Sequence, residues 1–362
     1  MSKILATTTV LLPTYKRPKL LRRAAQSVLQ QTRGDFILRI LDNAPSKETM
    51  EMVERLLQMD SRVEYVAHEK NIGSIENFIF GIKTVQTPYF CILCDDDLLL
   101  PDFLEKALDK HFSSGIHPVF VSMGVWESTP DGKLSINTSQ DKTIEIKSPD
   151  EGAKKCLIFG VSFPGILFRT EAVKKIGVPR KDWWFWTEQG WTALLALQGS
   201  SIFHSDAGAI FYNCSDSMCK STGVAEIMRM WFLMVEEIRV SWKKAGFPDE
   251  ELNRVLYPIG RNKIYSSIFR FAGCEDNFKR GELRAWISNV CQDNWKMRLV
   301  LVVASGLRKM SLGFCMRFLR RLFSFLKRKC AKKNMAKGGV IGEKAIQTEK
   351  FLGHFNREMG VL

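Results

Sequence analysis

Along the first hundred residues, short β-branched runs alternate with helical ones, and no other feature of this 362-residue chain restricts its fold as strongly. Thr8 to Leu12, Phe36 to Leu41, Val63 to Val66 and Tyr89 to Leu93 read as strands. Lys19 to Gln31, Glu48 to Met59 and Ser74 to Val85 read as the helices between them. A repeated strand-then-helix order predicts a mostly parallel sheet with helices on both faces. Such sheets take ligands at the carboxyl ends of their strands, so chemistry is to be sought in the residues just after each strand.

Four polar stretches occupy those places: Pro13 to Pro18, Asp42-Asn43-Ala44, His68 to Gly73, and Asp95-Asp96-Asp97. The three consecutive aspartates are the hardest to explain as structure, because like charges on one loop repel and each needs a cation or donors. A hard divalent ion, Mg²⁺ or Mn²⁺, shared with a substrate phosphate would satisfy them. The alternative is a helix N-terminus, since Leu98 to Lys110 reads as helical and acids stabilise a first turn; Asp102 after Pro101 already serves that end.

Further along, Ser113 to Ser148 reads as strands and turns with a Pro130-Asp131-Gly132 turn signal, and Val161 to Phe168 as another strand. Asp182 to Gln198 holds a tryptophan-rich loop leading into a helix. Beyond about Asp216 long helical stretches take over, near Val224 to Lys244, Glu250 to Phe271, Gly281 to Asn294 and Leu307 to Lys329. The expected organisation is therefore a domain over 1–215, divided into halves 1–110 and 111–215, a helical region over 216–337, and a flexible tail over 338–362.

The charge is as uneven as the structure. Lys plus Arg number 53 against 39 acids, a net +14, yet the stretch from Asn294 to Gly342 carries 13 basic residues and no acid, leaving +1 for the rest. Within Phe314 to Lys329, Phe314, Phe318, Leu322, Phe325 and Leu326 recur at helical spacing among arginines, the pattern of a cationic amphipathic helix suited to an anionic membrane surface. Packing on the catalytic domain is the competing use. Nucleic acid is disfavoured by the lack of an aromatic stacking module. No apolar run reaches the roughly 18 residues of a membrane span, and Ile4 to Leu12 reads as a strand rather than a signal peptide. Nine scattered cysteines fit reduced thiols; Cys91 and Cys94 have no partner pair at zinc spacing.

Taken in order, Thr9-Val-Leu-Leu-Pro-Thr-Tyr-Lys-Arg-Pro18, Ser27-Val-Leu-Gln-Gln-Thr32, Leu41-Asp-Asn-Ala44, Asn71-Ile-Gly73 and Ile92-Leu-Cys-Asp-Asp-Asp-Leu-Leu-Leu-Pro-Asp102 resemble the nucleotide-sugar-binding half of the family 2 glycosyltransferases. The resemblance is strong to about residue 110 and weaker to about 215. It implies a GT-A fold, an α/β Rossmann-like sheet, followed here by the helical C-terminal region. It implies a nucleoside-diphosphate sugar donor, with uridine diphosphate the first choice, and Pro13, Thr14, Tyr15, Arg17, Asp42, Asn71, Gly73 and Asp95 around it. Asp96 falls at the family's metal aspartate, supported by Asp95 or Asp97, with Mn²⁺ or Mg²⁺ as cofactor. Cys94 replaces a leading aspartate common in the family.

The family's acceptor side has an aspartate eleven residues before a glycine; Glu188 stands at that distance from Gly199 and becomes the candidate base, with Asp182 second. A structural reading of Glu188, as a first-turn helix acid, stands beside it. Trp183, Trp184, Trp186 and Trp191 offer either a platform for sugar faces or core packing, and His204 reads as structural. The expected activity is an inverting, metal-dependent transfer to a glycan or lipid-linked acceptor in surface-polysaccharide synthesis, with the enzyme peripheral on the inner face of the cell membrane. A catalytically silent membrane or nucleic-acid adaptor on the same domain is the alternative.

Overall fold

The computed structural model describes residues 6–128, 134–138, 142–212, 224–256, 259 and 348. The chain divides into two units, one made of Met1–Ser221 with Met230–Val255 and the other of Thr222–Arg229 with Leu256–Leu362. The sheet and every candidate site residue belong to the first unit.

Strands β1 (Thr8–Thr14), β2 (Phe36–Asp42), β3 (Val63–Ala67) and β4 (Tyr89–Ile92) alternate with helices α1 (Pro18–Leu29), α2 (Lys47–Met59) and α3 (Ser74–Thr84), as the sequence pattern predicts. They pair in parallel, in the order β3-β2-β1-β4. Every residue of β1 is buried because both faces are covered. Val10 and Leu12 enter the core that contains Leu21, Val28 and Val53 of α1 and α2, whereas Leu11 lies against Gly81 of α3 on the opposite face. Local signals set the helix starts: Pro18 supplies the fixed φ of a first turn, and the Ser46 hydroxyl accepts from the Thr49 amide at 3.2 Å.

The sheet continues through β9 (Ile166–Arg169), β6 (Phe120–Ser128), β10 (Ser201–Tyr212) and β5 (Leu98–Leu99), with β7 (Leu134–Thr138) on β6 and β8 (Ile144–Ile146) on β10. β6 and β10 keep the direction of β1 to β4, and β5, β7, β8 and β9 run against it. The sheet is thus mostly parallel with antiparallel insertions. Helices α4 (Phe103–Ser113), α5 (Pro149–Phe159), α6 (Thr170–Ile176) and α7 (Thr187–Ala196) connect these strands, and α8 (Val224–Lys244) follows.

Two expectations change here. Leu98 to Lys110 is not one helix: Leu98–Leu99 pair with β10, and the helix begins only after Pro101, whose ring disfavours helical backbone in the residue before it. Val161 to Phe168 is not one strand, because a 3₁₀ turn at Phe163–Gly165 precedes β9. The helix expected from Glu250 is described as far as 256. The stretches Gly281 to Asn294 and Leu307 to Lys329, the amphipathic Phe314 to Lys329 segment and the tail apart from residue 348 lie outside the described residues. Among the described residues no helix is long and apolar enough to cross a membrane.

Candidate active site

The aspartate loop leaves β4 inside the sheet, with Leu93 still donating to the Leu11 carbonyl at 2.9 Å. A turn closed by the Asp97 amide on the Cys94 carbonyl, 3.0 Å, gathers the four residues 94–97. Asp95 accepts from the Thr14 hydroxyl at 2.7 Å and from Arg17 at 3.3 Å; Arg17 also reaches Asp96 at 3.5 Å. Asp97 accepts from the Tyr212 amide at 3.0 Å through Oδ1, and its Oδ2 is buried without a partner. Burial raises the pKa of all three. Asp95 rises to about 6 against the opposing Thr14 and Arg17 contacts, and Asp97 goes well up with Asp96 repelling it.

One face of α1 holds this loop in place. Arg23 and Ser27, one turn apart on α1, and Gln31 just past its end meet the backbone of the loop and of the segment that follows it. Arg23 Nη2 donates to the Asp96 carbonyl at 2.7 Å, and Ser27 Oγ accepts from the Leu99 amide at 3.2 Å. Gln31 donates to the Leu100 carbonyl at 2.7 Å and accepts from the Leu104 amide at 3.0 Å. The Arg23 guanidinium also lies 4.0 Å from the Tyr212 ring centroid, tying the loop to the end of β10. Ser27 and Gln31 belong to the Ser27–Thr32 motif, which marks them without giving them a role, and Arg23 is signalled only by its spacing of four from Ser27 on an otherwise apolar helix face.

The ends of β1 and β2 meet in register, Thr14 beside Asp42. Asp42 is fully buried; Tyr65 donates to its Oδ2 at 2.9 Å, and Oδ1 has no partner. Burial raises its pKa and the Tyr65 hydrogen bond opposes that rise. The nearby loop is shaped by its own side chains: Asn43 Oδ1 accepts from the Ile72 amide and Asn71 Oδ1 from the Gly73 amide, both at 2.8 Å. Gly73 sits at φ +92°, a conformation that a side chain would strain. Tyr15 stands exposed on the turn after Pro13 and Thr14. The structure therefore brings Thr14, Arg17, Asp95 and Asp96 into direct contact. Asn71 and Gly73 lie on the loop beside Asp42.

Further along the chain, Glu188 occupies the first turn of α7. Its Oε1 accepts from the Phe163 amide at 3.0 Å, and the Ser162 hydroxyl also donates to it. Burial outweighs both donors and pushes its pKa up to about 7. Its charge adds to the rise of the Cys94 and Asp97 pKa values, which places Glu188 in the neighbourhood of the aspartate loop. Asp182 is placed differently, held on the surface by a two-pronged pair with Arg180 at 3.0 and 2.6 Å. Trp183, Trp186 and Trp191 are core residues, and Trp184 is half-buried with its ring edge-on to Phe78 at 5.0 Å. The chain needs glycine at 190, where a Cβ would come within 2.5 Å of Met234 on α8 and 3.0 Å of Trp183. His204 Nδ1 accepts from the Asp206 amide at 2.9 Å, a local turn contact.

The loop fits a divalent cation. Cys94 Sγ and one carboxylate oxygen each from Asp96 and Asp97 lie within 4.8 Å of one another, and the unpartnered Oδ2 of Asp97 leaves a buried acceptor open. A cation there would supply the countercharge that Asp97 lacks.

Known proteins resemble this chain in sequence and in fold. The profile of the family described as "Glycosyl transferase family 2" matches residues 9–177. An uncharacterized glycosyltransferase of Methanocaldococcus jannaschii is 32% identical over 99 residues, which is 27% of this chain and 34% of that protein. The GalNAc(5)-diNAcBac-PP-undecaprenol β-1,3-glucosyltransferase of Campylobacter jejuni is 28% identical over 102 residues, 28% of this chain and 33% of that one. The chain thus spans about a third of the length of these curated relatives. The structure of S. aureus TarS 1–349 in complex with UDP-GlcNAc superposes with a TM-score of 0.62 at 15% identity, covering 86% of this chain and 87% of that one, which shows a shared GT-A fold. Residues 9–177, just under half of the chain, thus match the family 2 glycosyltransferase profile.

Proposed function

We propose that the protein is an inverting glycosyltransferase that moves a sugar from a nucleoside-diphosphate sugar, uridine diphosphate being the first choice, to a glycan or lipid-linked saccharide. The observation that carries this reading is the pairing of a half-buried Glu188, whose pKa is pushed up to about 7, with the nearby aspartate loop, where its charge acts on Asp97. A carboxylate that titrates near neutrality suits proton abstraction from an acceptor hydroxyl. The acceptor oxygen then bonds to the anomeric carbon as the bond to the diphosphate breaks, and Glu188 takes the hydroxyl proton.

Thr14, Arg17 and Asp95 belong to the donor side. Arg17, which pairs with Asp95 and Asp96, would turn toward phosphate oxygens when a donor binds. Asp42 offers Oδ1 as acceptor for a ring N–H, which requires the residues enclosing it to yield. Asp96 and Asp97 hold Mn²⁺ or Mg²⁺, which would neutralise charge on the departing diphosphate. UDP-GlcNAc bound to the TarS fold supports a uridine nucleotide as the first donor to try. The basic segment from Asn294 to Gly342 fits reversible attachment to an anionic membrane, close to a lipid-linked acceptor. Calorimetry with UDP in the presence of Mn²⁺, together with donor hydrolysis by Glu188→Gln, tests the assignment. No nucleotide binding would favour the silent adaptor.

A further inference from the structure

Cys94 stands where the family pattern has an aspartate, and the proposed transfer gives it no task. The 94–97 turn folds its thiol toward the carboxylates, within the same 4.8 Å group as one oxygen each of Asp96 and Asp97. Donor atoms sharing one ion, at about 2.0–2.3 Å each, lie at most roughly 4.5 Å apart, so only small side-chain adjustments separate this group from a bound state. Independently, Asp97 is 1% exposed with Oδ2 unpartnered, a buried acceptor on that same turn. Arg17 approaches Asp96 through Oδ2 at 3.5 Å, the long end of an ion pair.

We propose that Cys94 is a direct ligand of the divalent cation held by the aspartate loop, giving a mixed sulfur and oxygen site that prefers zinc-like cations (Zn²⁺, Co²⁺, Cd²⁺) over Mg²⁺. The proposal rests on the metal-binding reading of Asp96 and Asp97. On binding, the S–H bond breaks, a sulfur–metal bond forms and the proton leaves to solvent. Thiolate is a soft donor that favours such ions, whereas Mg²⁺ keeps oxygen ligands and water. Replacing aspartate by cysteine preserves an anionic ligand while changing which metal it selects.

The test is a Co²⁺ titration of the full chain, with and without UDP, followed by absorption and by calorimetry. The wild type is expected to develop a near-ultraviolet thiolate-to-cobalt charge-transfer band. Cys94→Ser should lose it while still binding Mn²⁺, and Cys91→Ser should keep it. If Cys94→Ser does not fold, judged by its melting transition, Cys94→Ala and Asp96→Asn give the same readout, each losing the band. Cobalt bound by calorimetry without a band that depends on Cys94 overturns the proposal and leaves an all-oxygen metal site intact. Mg²⁺ bound as tightly as Co²⁺ overturns the claimed preference. Failure to bind Co²⁺, Mn²⁺ or Mg²⁺ under either condition overturns the proposal and the metal reading together.

Discussion

The two sides of the site use carboxylates in opposite ways. Asp95 and Asp96 are surrounded by Thr14, Arg17 and the Arg23-held backbone, which work against the cost of burying their charge. Glu188 receives two neutral donors and otherwise burial, so its proton is retained up to about pH 7. On the proposed mechanism similar functional groups would serve either to hold cations or to exchange a proton, the difference lying in what encloses them. The donor side is built from loops that follow adjacent parallel strands. The acceptor side hangs on packing between residues far apart in sequence, such as Gly190 against Met234.

If this division is right, removing a charge-holding carboxylate should do the most damage. Asp96→Ala is expected to lower transfer by on the order of 10³-fold or more, measured as sugar release from the donor. Glu188→Gln is expected to lower turnover by about 10²–10⁴-fold with the UDP dissociation constant unchanged in calorimetry. A joint loss of turnover and binding would erase the distinction between the two sides.

The same Glu188 substitution should stabilise the fold at alkaline pH. The folded carboxyl titrates at about 7 and a solvated one at 4.5. Between those values the folded chain keeps a proton that the unfolded chain has lost, so wild-type stability falls as pH rises through this window. Glu188→Gln removes that loss; its gain over wild type should grow from nothing below pH 4.5 to about 1–3 kcal/mol above pH 7, read from urea unfolding. A smaller effect is expected at the support of the loop: Arg23→Met should weaken Mn²⁺ and UDP binding by about tenfold through loss of a charged hydrogen bond to Asp96. Asp182→Asn is the control, since an exposed pair with Arg180 contributes about 0–1 kcal/mol, and turnover should stay within about twofold.

The unequal legibility of the two sides has a physical source. From Thr8 to Ile92 each strand and helix carries its own period, and the loops after the strands are marked by residues that do not belong in a core. Asp95 to Asp97 announce themselves because three adjacent charges have no structural excuse. β10 was hidden because its ladder shifts register between Phe203 and Ala207, and His204, Ser205 and Asp206 interrupt its alternation. Leu98 and Leu99 look helical until β10 pairs with them. Arg23, with 6% exposure, reads as a surface charge, and only the backbone of the distant aspartate loop explains its burial. The tryptophans near Glu188 were legible as a group, but which of them enter the core depends on α8.

Whether Glu188 is the proton acceptor facing a donor held by the aspartate loop is decided most plainly by the pH dependence of donor hydrolysis. With a saturating UDP-sugar, the wild-type rate should rise with pH through a single transition near 7 and level off above it, because the base acts only when ionised. Glu188→Gln should be slow and lack that transition. A Glu188→Gln profile retaining the wild-type transition and rate would show that another group takes the proton.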